Sequence, residues 1–257
     1  MALWSHFTSA SGIRFDATSL VASWTRLHRC DSEPLPTNAD VLQAWVYFHN
    51  GDFQRAAETG LKAGDDGVTV ANKATSVYAR YLETRAQAKL DLFLEVAARA
   101  QAQQARQANN PNAYFWQAYA LGHYGQCISI AKGLADGVGH KVKAALERTI
   151  AMCPTHADAH LALACFHAEA IDKVGLLIAG MTYGAKKETG LTLFRQAMAL
   201  NPDSPLSLMD CADGLVMLEG EDRIAEATAL YERAASCRVL DALDELGVMA
   251  AKLELQD

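Results

Sequence analysis

From Asp40 to the carboxyl end no run of residues alternates apolar with polar; apolar positions recur every three or four instead. That spacing is the signature of helices with one buried face, and it leaves no material for a sheet. Ala, Leu, Glu, Lys and Gln dominate these runs, and all five are good helix formers. Breaks fall at proline and glycine. Pro34 and Pro36 lie in a linker over residues 32–38, while Pro111, Pro154, Pro202 and Pro205 stop or start later helices. The pattern predicts helices over 40–49, 52–63, 70–108 with a break, 112–131, 138–152, 157–172, 185–200, 204–218, 222–237 and 240–255. A shorter helix over 16–29 precedes them, with Asp16 as its cap. The expected organisation is an amino-terminal segment, 1–38, with one helix, followed by a single helical domain, 39–257.

Aligning these helices exposes a repeat. Gly190, Phe194, Ala197 and Pro202 run small, aromatic, small, proline. Ala227, Tyr231 and Ala234 repeat the first three terms, with Val239 in the place of proline, and Val142, Leu146, Thr149 and Pro154 keep the spacing more loosely. Gly51, Asp52 and Phe53 open a further helix containing Ala56, Gly60 and Ala63 in the same style. Small residues let paired helices approach, the aromatic fills the gap between pairs, and proline ends a pair by withholding a backbone donor. The pattern resembles the tetratricopeptide repeat. The resemblance implies an all-α chain of about four irregular helix pairs stacked in a right-handed solenoid.

Two departures mark the chain. Successive prolines at 111, 154 and 202 lie 43 and 48 residues apart, against about 34 in a standard repeat. The excess sits between the two helices of a pair, around Gly133–His140 and around Lys173–Gly184, which read as inserted connectors. The segment 68–108 fits poorly, with Arg99, Gln103 and Arg106 in the aligned positions, and is expected to brace the array as one or two long helices. The stretches Asn112–Trp116, Leu146–Arg148, Ala157–Ala164 and Phe194–Ala197 are similar to the regulator of microtubule dynamics family and to the T component of tripartite transporters. That resemblance implies a helical-repeat binding protein and supplies no catalytic motif. Transporter T components are periplasmic.

A formal charge of −7 works against nucleic acid and anionic membranes as partners of the whole chain. No stretch approaches the roughly 20 apolar residues of a spanning helix, so membrane insertion is not expected. Met1–His6 carries no secretory signal, and six cysteines without a Cys-x-x-Cys pair suit reduced, buried thiols. Both point to the cytoplasm, or to the periplasm if a signal has been removed.

Site residues are sought where polar groups cluster. His156 and His160 share a helix face, near Cys153, His167 and Glu169; the structural reading leads, ahead of a polar pocket and of a metal site. Gly133, Gly137, Gly139 and His140-Lys141 have two readings, a tight connector that needs glycine torsions, which leads, and a phosphate cradle at a helix start, for which no phosphate-loop motif is complete. Six lysines, Lys132, Lys141, Lys143, Lys173, Lys186 and Lys187, lie in or beside the inserts. They form either a solvated surface or a positive rim, on which Lys141, His140, Lys173, Tyr183 and Lys187 would meet an anionic ligand or an acidic segment. Phe115, Asp158, His160 and Glu169 are the candidates for a groove. Asp210, Asp213 and the close-set Tyr114, Phe115, Trp116 and Tyr119 read mainly as solvated or core residues. The expectation is a non-enzymatic binding or scaffold module for a peptide, protein or small anionic ligand, without metal or cofactor. A homo-oligomer is compatible with it, and the alternative is a periplasmic ligand-capture component of a transporter.

Overall fold

A computed structural model describes residues 4–256. Among the described residues the regular structure is entirely helical: α1 (Ala17–Leu27), α2 (Ala39–His49), α3 (Phe53–Lys62), α4 (Val68–Tyr81), α5 (Ala86–Arg106), α6 (Pro111–Gln126), α7 (Ile130–Ala135), α8 (Val138–Met152), α9 (Ala157–Val174), α10 (Leu176–Tyr183), α11 (Lys187–Leu200), α12 (Pro205–Glu219), α13 (Ile224–Ala235) and α14 (Ala242–Glu254). Many starts are capped by the residue that the sequence places there. Asp16, Asn38, Asp52, Asn110, Ser204 and Asp241 each accept a backbone N–H of the first turn, and Pro111 and Pro205 open α6 and α12 where no donor is needed.

Helices pair as α2/α3, α4/α5, α6/α8, α9/α11 and α12/α13, with α14 closing the series. Five pairs form, one more than the repeat spacing predicts. The extra pair comes from 68–108, which is not a brace but a regular member of the stack. Its break lies at 82–85, where the Tyr78 carbonyl accepts from both Leu82 and Glu83 and ends α4. Every residue from Val68 to Ala79 is buried, so α4 has no solvent face for a sequence pattern to reveal. The predicted helix over 112–131 stops at Gln126, and both inserts coil into short helices, α7 and α10. Gly175 and Gly184 bound α10 with φ of 79° and 65°, conformations that side-chain-bearing residues avoid.

The repeat positions locate the contacts between pairs. Phe194 of α11 is buried against Gly214 of α12, where a Cβ would overlap its ring. Ala197 and Ala234 are buried as the spacing requires. Tyr231 is not: it is half-buried, because its hydroxyl donates to Asp213 at 2.6 Å and stays at the surface. Phe194→Ala is expected to cost about 3 kcal/mol, the lower part of the usual range, since Gly214 leaves room for α12 to settle inward. Urea unfolding of the variant measures this, and a loss below about 1 kcal/mol would refute the packing role given to the ring.

The two ends of the stack meet. Ala242 and Leu246 of α14 enter one core cluster with Phe7, Leu20, Trp24, Trp45 and Phe48. Asp241, the cap of α14, also pairs with His49 Nδ1 at 2.6 Å. Glu245 accepts from Ser9 Oγ and from the Ala10 and Ser11 amides at 2.5, 2.6 and 3.1 Å. The turn after α1 crosses the starts of α6 and α9: the Cys30 carbonyl accepts from the Asp158 amide at 3.0 Å, and Asn112 donates to the Asp31 carbonyl at 3.1 Å. The inner face of the solenoid therefore surrounds a space rather than lining an open trough.

Candidate functional site

That space is a cavity of about 730 Å³. Its walls are the inward faces of α4, α6, α8, α9, α12 and α14 with the carboxyl end of α1, and the inserts carrying α7 and α10 contribute Ile130, Gly133 and Tyr183. Phe115, Leu146, Leu161 and Phe166 give it apolar surface.

Arg80, near the end of α4, is its most constrained polar group. One terminal nitrogen donates to Asp210 of α12 at 2.8 Å, the other to the Tyr119 hydroxyl at 3.3 Å, and the guanidinium lies 5.0 Å from the Tyr81 ring centre. Burial works against its charge, yet Asp210 and the two tyrosines more than compensate and hold it well above its usual range. Since Asp210 and Tyr119 use two of five N–H donors, the guanidinium keeps capacity for an occupant. The Arg80–Asp210 pair spans from α4 to α12 over α6 and α9. A second cavity of about 520 Å³ adjoins it, sharing Arg80, His123, Gln126, Cys165, Glu169, Lys173 and Asp210 with the first.

At the other end a buried polar chain ties the amino-terminal helices to α14. Lys73 Nζ meets Asp31 at 2.6 Å, Asp31 meets His28 Nδ1 at 2.9 Å, and His28 Nε2 faces His49 Nε2 at 3.3 Å. Burial opposes the charge on Lys73, but Asp31 offsets it and raises the ammonium above its ordinary range. Asp31 is likewise disfavoured by burial, and Lys73 with His28 holds it well below the usual carboxylate value. Burial pushes His28 down to about 4. Neutral His28 donates from Nδ1 to Asp31, and His49 donates from Nδ1 to Asp241 on the other side of the facing Nε2 atoms. On the cavity wall, burial raises Asp158 to about 6 against the pull of Lys73.

The cavity gathers Phe115, Asp158, Glu169, Lys173 and Tyr183 from the sequence candidates. Glu169 accepts from Gln126 at 2.7 Å and pairs with Lys173 at 3.5 Å. His140, Lys141 and Lys187 stand outside its lining. Tyr183 nevertheless packs over Gly139, with its ring 5.3 Å from His140, so the two inserts touch. Lys187 pairs with Glu219 at 3.2 Å, and Lys141 Nζ donates to the Asp136 carbonyl at 3.0 Å. His160 lies away from the cavity, donating from Nε2 to the Pro154 carbonyl at 2.9 Å. His156 caps α9: Nδ1 accepts the Ala159 amide at 3.1 Å, which leaves Nε2–H to donate to Asn112 at 2.9 Å.

Sequence reasoning missed Arg80, Lys73 and Tyr81, and took Asp210 and Tyr119 for surface or core. One signal was available: two cations, Lys73 and Arg80, seven residues apart on one helix face. The poor repeat match of 68–108 concealed it.

Antiparallel helix pairs stacked in chain order, with small and aromatic residues at their contacts, define a tetratricopeptide-like helical-repeat protein. Among solved structures, the chain is similar to a thermophilic TPR protein of Thermus thermophilus, at 17% identity and a TM-score of 0.56, over 83% of this chain and 97% of that one. No family model matches the chain, and no curated protein matches it. The likeness establishes the fold.

Proposed function

We propose that the protein is a non-enzymatic binding module that holds a small ligand with an anionic group inside the solenoid, Arg80 receiving that group. The cavity inside the solenoid carries this reading. Its volume of about 730 Å³ falls within the range of small-molecule sites, and apolar surface with a few positioned polar groups, Arg80 among them held by Asp210 and Tyr119, matches their usual make-up. Closure through His49–Asp241 and Glu245 favours a molecule of cavity size over a long peptide, which would need to thread the ring. Asp158 and Glu169 are wall groups that exclude a second negative charge, so the occupant places its charge at Arg80 and its apolar body against Phe115, Leu161 and Phe166.

Chemical unfolding in the presence of a panel of small carboxylates tests the reading. A carboxylate at about 100 times its Kd should add about 2.7 kcal/mol of stability. Arg80→Gln should weaken that ligand at least about tenfold, as loss of a charge-assisted contact requires. The comparison is between ligand-induced shifts, so any intrinsic loss from freeing Asp210 cancels. Equal shifts in parent and variant would place the ligand elsewhere.

A further inference from the structure

The inserts leave α7 and α10 with apolar side chains that nothing in the fold covers. α10 packs on α9, and α7 on α8, while each projects its remaining face outward. Leu176, Leu177, Ile178 and Met181 of α10 are exposed, Leu177 by 75% and Met181 by 80%, and Ile130 and Leu134 of α7 are exposed too. Contact of Tyr183 with Gly139 and His140 brings the two inserts together. Clustered exposure of this kind marks a surface that meets something apolar.

Charge decides what that is. Residues 128–143 and 173–187 carry six of the 23 basic residues and one of the 30 acidic ones, Asp136. Glu147, Glu169 and Glu219, which pair with Lys143, Lys173 and Lys187, stand on the helices behind the inserts. A second copy seated here would set these lysines against their own images, an unfavourable pairing. A recessed protein partner would need a socket for side chains that project as a knob. An anionic bilayer fits both features: apolar tips enter the boundary between headgroups and acyl chains, and lysines meet the headgroups.

We infer that α7 and α10 form a peripheral docking surface for an anionic lipid bilayer, dipping Leu177 and Met181 into it. The net charge of −7 does not prevent this, because at physiological salt a charge is felt over only about 8 Å and the inserts are the part in range. The contact is interfacial; no helix among the described residues is long and apolar enough to cross a membrane.

Flotation with vesicles tests the inference, using phosphatidylcholine alone and phosphatidylcholine mixed with phosphatidylglycerol. The full chain should float with the mixed vesicles at least about tenfold more tightly than with phosphatidylcholine, and lose binding as salt rises. Leu177→Ser with Met181→Ser should lower that binding at least about tenfold, with unchanged circular dichroism, since both side chains are exposed. Lys141→Glu with Lys186→Glu, both outside the cavity lining, should abolish the preference for phosphatidylglycerol. Failure of the parent to float, or equal flotation of the serine variant, overturns the proposal. So does concentration-dependent dimerisation that the serine variant removes, which would assign the surface to a second copy. None of these outcomes bears on ligand binding at Arg80.

Discussion

Lys73→Met is expected to remove about 3–5 kcal/mol of stability, the range for breaking a buried ion pair from one side. The cost comes less from the lost attraction than from what remains. Asp31 is buried to 1% exposure, and without the ammonium 2.6 Å away its charge is met only by His28 and the Glu33 amide. Lys73 also lies 5.5 and 5.3 Å from the Trp45 and Phe48 ring centres, where methionine keeps the packing of the stem but not the charge. The effect should spread, because Asp31 holds His28, His28 meets His49, and His49 holds Asp241 at the start of α14. Asp31→Asn added to Lys73→Met should recover much of the loss, since it removes the stranded charge and keeps an acceptor for His28. Urea unfolding of both variants gives the numbers. If the single variant loses less than about 1 kcal/mol, or the double variant is no better than the single, the pair does not have this role.

What could be read from the sequence divides according to how local the cause is. The pairs ending at Pro154 and Pro202 were legible because a small–aromatic–small spacing and a terminating proline lie within one helix and its exit. The short α10 was not, because Leu176–Tyr183 is apolar on every side and offers no periodicity, and because its two bounding glycines read as loop. The helix α4 was expected but its place in the stack was missed, because buried Thr69, Asn72, Thr75 and Ser76 are polar and an apolar pattern does not mark its inward face. Closure of the solenoid was beyond reach. It depends on His49 meeting Asp241, 192 residues away, and on Arg80 meeting Asp210, 130 residues away. Neither pair has a spacing that a repeat could reveal. The candidate site followed the same division, since Phe115, Asp158 and Glu169 came from repeat helices whose inward face the pattern defines, and Arg80 came from the one pair the pattern misread.

The difference in stability between the parent and His156→Asn is expected to change by about 3 kcal/mol as the pH falls from 6.5 to 4. His156 is fully buried and caps α9 through Nδ1, a role that only the neutral ring can fill because imidazolium has no acceptor. Burial holds its pKa at about 4, against an ordinary 6.5. In this window the unfolded chain takes up a proton at this position and the native state does not. The contribution of a neutral His156 is thus complete above pH 6.5 and lost as the pH falls toward 4. Asparagine caps helices equally well and does not titrate, so the variant lacks this loss. It gives up the hydrogen bond to Asn112, which makes it the less stable protein near neutrality and the relatively favoured one in acid. His28, lowered to about 4, acts in the same direction, because its burial opposes the charge that protonation would bring. Carboxyl groups raised by burial act in the opposite direction. Glu33, at about 8, and Asp158, at about 6, gain stability as the pH falls, so the profile of the parent alone sums opposing slopes. Subtracting the variant removes those shared contributions and leaves the one proton of His156. Urea unfolding of both proteins at intervals between pH 7 and 4 supplies the two curves. A difference that stays constant across the window would mean that native His156 takes up its proton as readily as the unfolded chain does, and that the cap of α9 is not the acceptor described here.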